Sequence, residues 1–365
     1  MKIEVLQEEL IKGIGVVGRV VSNRAQLAVL GNILIEAQKT GLRLSGTDLQ
    51  IGMSIGLPAK VSETGRITVP AKVLQEFVGS LAPGRLTLEL KQDTLIVEGG
   101  SYRGKFQTIS AEEFPAIPVL PDNKAKIIVR QSEFAEMSTK VIFAAAKDSL
   151  RPVLTGILLE LSKTSLRMVA TDGFRLSVGK IKAQGADSLR SVLIPMQAIA
   201  EVARFEGEEE LQIVSVEESN QVIFQAGESL LVSQVIDGNY PDYNKIIPKE
   251  SKSEVVVNRE ELLQAVRVAH IFARENSNMM KWDVNEKEIV IIAESPERGD
   301  SEARVPAKID GEGGKIIFNA KFLLDFLSVA KGSEITFGMG EPLDAGVFRS
   351  TGDEGLLYIV MPINA

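Results

Sequence analysis

Polar and apolar residues alternate from Leu166 to Val178 (LRMVATDGFRLSV), break at Asp172-Gly173, and resume. That pattern predicts two antiparallel strands joined by a turn in which glycine takes the positive φ such turns need. A relative of the stretch, LRLSGTDLQIGM, runs from Leu42 to Met53. Its Thr-Asp pair lies at 47–48 against 171–172, an interval of 172 − 48 = 124 residues. A hairpin recurring at that distance points to a duplicated module. Elsewhere the apolar positions recur at helical spacing. Leu10, Ile14, Val17 and Val21 predict a helix over about 8–24; Phe134, Met137, Val141 and Ala144–Ala145 predict one over 132–147. Leu262, Val266, Ala269 and Phe272 predict a third over 259–274. Ser132-Glu133 and the segment opening at Asn258 have the character of capped helix starts.

A short β-rich run precedes each helix, at 2–6, 126–130 and 254–258. Hairpin strands follow, beginning near 33, 152 and 281. A second strand and helix come next, over 66–81, 192–205 and 315–330, then more strands ending at Pro115, Pro241 and Pro362. Three copies in one order predict three domains, 1–120, 125–248 and 253–365. Polar, proline-bearing joints lie between them at 118–124 (PVLPDNK) and 248–253 (PKESKS). The third copy has diverged most, and its hairpin over 289–304 carries Glu-Ser-Pro instead of Thr-Asp.

Chemistry is sparse. With no cysteine and one histidine, His270, there is no thiolate, disulfide or multi-histidine metal site. His270 sits in an apolar helical stretch and reads as a packing residue. Gly13, Gly15 and Gly18 spell G-x-G-x-x-G, which offers an alternative function: an oxidoreductase binding NAD at Gly13–Gly18. A pyrophosphate loop needs its glycines directly after a strand, and here residues 7–12 intervene. The expectation is therefore a binding protein without catalysis or cofactor. No apolar run reaches membrane-spanning length and the N-terminus lacks a signal layout, so a soluble, cytoplasmic chain is expected.

The net charge is −8, which opposes phosphate binding unless the cations share one surface. Lys12/Arg19, Lys140/Lys147 and Arg267/Arg274 are each seven apart, so each pair is predicted to share one helical face. No aromatics interleave, so contact would be to phosphates and independent of sequence. A repeat-built scaffold binding peptides but no DNA is the remaining option.

The whole chain resembles the bacterial sliding clamps, the beta subunit family of DNA polymerase III. VIFAAAKD (141–148), RPVLTGILLEL (151–161), LRMVATDGFRLSV, DGNYPDYNKIIP (237–248) and YIVMPI (358–363) carry the likeness. It implies an α+β fold of three tandem clamp repeats, two chains closing head-to-tail into a ring with helices inside and sheets outside. It further implies a processivity factor encircling duplex DNA. Partners would be the polymerase III alpha subunit, the clamp loader and other polymerases or repair proteins, each inserting a short linear peptide. The pocket positions the resemblance implies are Leu154, Thr171, Gly173, Phe174, Arg175, Leu176, Pro241, Lys245, Ile246, Val360, Met361, Pro362 and Ile363. For DNA contact it implies Arg24, Lys72, Asp148, Pro152 and Val153; for the ring joint, Phe106, Ile271 and Phe272. Phe174 stands where the family often has histidine, and Asn364 where many members have arginine.

Overall fold

The helices set the frame. In the computed structural model, which describes residues 1–21, 27–121, 124–148, 150–185, 191–207 and 209–364, α1 spans Gln7–Val17 and α2 Ala71–Ser80. Helix α3 spans Gln131–Val141 and α4 Met196–Val202; α5 spans Arg259–Ala273 and α6 Ala320–Val329. Leu10, Ile14 and Val17 form the buried stripe of α1, as their spacing predicts. The first two long helices stop short of the predicted ends. Gly18 caps α1 through its N–H to Ile14 O, and α3 tightens at Val141 into a 3₁₀ turn over Ile142–Ala144. Asn258 caps α5, its side chain accepting from the N–H groups of Glu260 and Glu261. Ser132 is no cap, because α3 has already begun at Gln131.

The order strand, helix, three strands, strand, helix, three strands recurs at Lys2–Gln107, Ile127–Gln234 and Ser253–Val360, with one extra short strand, Lys60–Glu63 or Gln184–Gly185, before the second helix of the first two copies. The chain nevertheless forms two compact units, residues 1–131 with 205–235 and residues 132–204 with 236–365. Sheets running through the repeat borders cause this division. In the first unit Ser229–Gln234 pairs with Ile51–Leu57, joining the middle repeat to the first. In the second, Arg175–Lys182 pairs with Leu356–Val360 inside a twelve-stranded antiparallel sheet. A five-stranded sheet in the first unit ends on the edge strand Tyr102–Gln107. An aromatic core lies in the third repeat, where Trp282, Phe318, Phe337 and Phe348 pack at centroid separations of 4.7–6.2 Å. Edge-to-face and offset contacts of this kind add to what burial alone contributes.

The dinucleotide reading fails on geometry. Strand Lys2–Leu6 runs straight into α1, and Gly13 and Gly15 lie within that helix. A Cβ on Gly13 would stand 2.6 Å from Leu57 Cδ1, so this glycine lets α1 lie against its sheet.

The Thr-Asp repeat has a hydrogen-bonding cause. Thr171 Oγ1 donates to Arg175 O (2.6 Å) and accepts from Gly173 N (3.0 Å); Asp172 Oδ1 accepts from Phe174 N and Arg175 N (both 3.0 Å). In the first copy Thr47 and Asp48 make the same four bonds to Ile51 O, Leu49 N, Gln50 N and Ile51 N at 2.7–3.0 Å. The side chains close the turn, and the third residue takes positive φ: 92° at Gly173 and 76° at Leu49. A Cβ on Gly173 meets only ordinary contact, 3.5 Å to Arg151 Nη1. Gly173→Ala therefore costs only the backbone strain, about 1–2 kcal/mol, whereas Leu49→Gly relieves it and stabilises by up to about 1 kcal/mol. Urea midpoints of the two variants, moving in opposite directions, check this.

Candidate functional site

The Asp172-Gly173 turn presents Phe174 to solvent, 65% exposed, and turns Arg175 inward. Arg175 donates from Nε to Asp172 Oδ2 (2.9 Å), from Nη1 to Asp325 Oδ2 (2.7 Å) and from Nη2 to Phe143 O (2.7 Å). Its guanidinium lies 4.5 Å from the centre of the Phe322 ring and 5.5 Å from that of Phe143. Arg175 is thus committed to holding the turn against α6 and the 3₁₀ turn after α3, and is not a free group for a ligand. Leu176, Val360 and Thr171 are likewise buried. Arg175 and Leu176 pair with Val360 and Ile359, so Leu176, Val360 and Thr171 lie in the floor of the predicted pocket, while Arg175 also reaches its wall.

The C-terminal segment is laid across this floor by two backbone bonds. Met361 N donates to Phe174 O and Ile363 N to Ile317 O, both at 2.8 Å. An equivalent bond, Gln234 N to Gln50 O at 2.9 Å, occurs in the first unit, so the arrangement belongs to the repeat. One cavity adjoins the Phe174 turn and another the tail. The first, of 400 Å³, is walled by Leu150, Leu154, Phe174 and Arg175, together with Lys147 and Asp148. The other, of 340 Å³, is walled by Lys245, Ile246, Leu343, Ala345 and Met361. Pro241 is exposed. Its segment is fastened by Tyr243, whose Oη donates to Glu160 Oε2 (2.8 Å) and accepts from Arg167 Nη1 (3.1 Å). Pro362 and Ile363 are half-buried. The first cavity is mainly apolar, and the second mixes its apolar walls with Glu250, Ser251 and Asp344; concave apolar walls with polar groups beside them suit a short extended peptide.

Sequence reasoning missed Leu343, Phe143, Phe322, Asp325 and Tyr243. Leu343 had a signal, a lone leucine in the turn-like EPLD segment. Asp325 and Phe322 had none, since they meet Arg175 only through the sheet that joins the repeats.

The cation pattern needs correction. Lys140 does not face outward: its side chain is 5% exposed and bonded to Glu136 Oε1 (2.7 Å) and to Asp353 Oδ2. Lys147 and Arg19 lie beyond their helices, so neither pair shares a helical face. Only Arg267 and Arg274, both exposed on α5 and its cap, keep the predicted relation. Lys72 is exposed in the first turn of α2. Pro152 and Val153 open a 3₁₀ turn, Pro152 exposed and Val153 half-buried. Asp148 caps a local turn by accepting from Leu150 N (3.2 Å) and walls the Phe174 cavity. Arg24 lies outside the described residues. Of the predicted joint residues, Ile271 is 51% exposed and Phe272 half-buried. Phe106, by contrast, is turned inward at 6% exposure, edge-on to Phe77 at 5.4 Å.

Burial pulls the Lys140 ammonium down, but its bonds to Asp353 and Glu136 outweigh this and hold it above the usual lysine range. The bonds from Lys140 and Lys331 hold the Glu136 carboxyl below its ordinary value. The Glu136 contribution to stability is therefore present above pH 4.5 and is lost as pH falls through the depressed folded value; the Lys140 contribution is present below pH 10.5 and is lost as pH rises through the elevated one. Glu136→Gln is expected to be less stable than the unsubstituted chain at pH 7, with the difference closing in acid below the carboxylate range. Urea titrations across pH check this.

Among the described residues no helix is long and apolar enough to cross a membrane, and no three His, Asp or Glu side chains converge as a metal site. His270 Nε2 lies 3.1 Å from Asn278 Oδ1, a structural contact.

The DNA polymerase III beta subunit models match the chain in three parts: the N-terminal domain over residues 1–118, the central domain over 128–242 and the C-terminal domain over 244–364. The beta sliding clamp of Synechocystis is 31% identical over 391 aligned residues, covering all of this chain and 99% of the relative. That of Bacillus subtilis is 30% identical, with the same coverage of each. Among solved structures, the Pseudomonas aeruginosa DNA polymerase III beta subunit superposes over the whole of both chains with a TM-score of 0.93 at 29% identity. The Bacillus subtilis sliding clamp gives 0.94 at 28%, over all of this chain and 99% of that one. A Pseudomonas aeruginosa clamp solved with griselimycin also gives 0.94 at 29%, over the whole of both chains. Fold, repeat order and full-length similarity agree: the chain belongs to the DNA polymerase III beta subunit family, the beta sliding clamps.

Proposed function

We propose that this sliding clamp closes head-to-tail with a second copy into a ring around duplex DNA. In that ring it would tether the polymerase III alpha subunit, other polymerases and repair proteins through short linear peptides docked at the Phe174–Met361 site, and the clamp loader would use the same site. Three domains, 1–120, 125–248 and 253–365, would serve each protomer.

The observation that carries the ring is a pair of open strand edges. Tyr102–Gln107 has a neighbour on one side only, and Gly299–Pro306 pairs with Glu288–Ser295 on one side, its other side being open among the described residues. The first edge presents Arg103 and Lys105; the second presents Asp300, Glu302 and Arg304. Opposite charge on two free edges favours pairing the first edge of one copy with the second edge of another, beside Ile271 and Phe272. Such a heterologous contact closes after two copies. Phe106, on the first edge, would support the joint from behind its strand. Retention by encirclement needs no tight phosphate contact, so a net charge of −8 is compatible with it. Arg24, Lys72, Asp148, Pro152 and Val153 are proposed to face the duplex, Arg24 and Lys72 as the phosphate-contacting cations among them.

The expected solution mass is about twice the 39.6 kDa chain mass. Arg24→Glu with Lys72→Glu is expected to shorten retention on nicked circular DNA several-fold while leaving peptide affinity unchanged. Unaltered retention would argue against the lining assignment, and a monomeric mass against the ring.

A further inference from the structure

Leu343 walls the Ile246–Met361 cavity and also a second cavity of 470 Å³. This second cavity lies on the side of the third repeat's sheet turned away from the core. Lys281 is the cross-strand partner of both Ile292 and Ile317, so the three share one face, while Trp282 and Ile316 point into the core. The tail crosses here as well, where Ile363 N bonds Ile317 O on the edge strand Gly314–Asn319. Half-buried Ile292, Ile317 and Ile363 with exposed Leu343 make an apolar face. Lys281 and Lys315 stand at its rim, in loose ion pairs at 3.2 Å to Glu294 and 3.5 Å to Asp283.

We propose that this face continues the peptide groove and takes a further apolar side chain of the same linear partner peptide, with a carboxylate beside it for Lys315. The inference rests on the docking role of the Phe174–Met361 site. Two observations select the occupant. Leu343 is common to both cavities, and Met361 and Ile363, two residues apart on the tail, wall one cavity and then the other. An extended partner lying along the tail therefore reaches the second cavity within a few residues. The rim lysines favour an acidic neighbour over a basic one.

The test uses the full-length clamp and Trp-free, fluorescein-labelled 20-residue peptides tiled along a bacterial polymerase III alpha subunit, read by anisotropy. The tile that binds is trimmed from each end to the shortest peptide that still binds. Ile317→Asp is expected to weaken the full tile about 10-fold, and Lys315→Glu about threefold, with the trimmed peptide bound as by the unsubstituted chain. That unchanged affinity also reports a folded variant. Trp282, the only tryptophan, lies in the strand carrying this face; its emission is expected to shift with the tile and not with the trimmed peptide. Equal affinity of Ile317→Asp and the unsubstituted chain for the tile would overturn the proposal, as would a change in solution mass marking the face as a contact between copies. A failure of every tile to bind the unsubstituted chain is a different result and overturns the docking role itself.

Discussion

Arg175→Ala is expected to destabilise the second unit by about 3–5 kcal/mol, because it removes the guanidinium shared by two carboxylates, leaving Asp325 only its 3.3 Å pair with Lys321. Asp172 and Asp325 are each largely shielded from solvent, and Phe143 O loses its donor. Rings of Phe143 and Phe322 lose the cation that lies against them. Lysine cannot substitute, since one ammonium cannot reach three acceptors in a fixed fork while lying against an aromatic ring. Arg175→Lys is therefore expected to recover less than half of the loss. Thermal unfolding measures it: for a unit of this size the shift should be on the order of 10 °C. A shift of only a degree or two would mean that Arg175 is not the pin of the turn. Partner peptides should also bind more weakly to the alanine variant, through a loosened Phe174 and the loss of one wall of its cavity.

Deleting residues 361–365 is expected to weaken partner-peptide binding more than 100-fold, beyond the loss typical of one interface side chain. The deletion removes Met361 from the wall it shares with Ile246 and Leu343, and takes away Pro362 and Ile363. It also breaks the bonds to Phe174 O and Ile317 O, each worth about 1 kcal/mol at most, so the fold should survive with a small loss of stability. Anisotropy with a polymerase-derived peptide reads affinity, and thermal unfolding reads the fold. Full affinity in the deleted chain would remove the tail from the site.

Much of this was legible in the residues. Period-two alternation located the 165–171 and 175–182 strands, and the Thr-Asp pairs located the repeat, because those side chains make the turn themselves. Helical spacing found α1, α3 and α5, since each buries one stripe. Their ends were less legible. Nothing local in Val141 announces a 3₁₀ turn, and Gly18 reads equally as a motif glycine or a cap. Burial of long cations was not legible at all. Lys140 and Arg175 look like surface charges until Asp353 and Asp325, 213 and 150 residues away in sequence, are brought to them. Leu49 is the reverse case: its positive φ is imposed by Thr47 and Asp48, and its own side chain gives no hint of it.

The sheets that run through the repeat borders govern how this chain can be recombined with its relatives. A crossover at 248–253 puts Arg175–Lys182 and Leu356–Val360 in segments of different parentage, and one at 118–124 does the same to Ile51–Leu57 and Ser229–Gln234. Each such seam asks side chains from two lineages to interdigitate across a ladder that neither has seen. The polar linkers, which look like natural seams, are thus poor places to exchange parts between clamps.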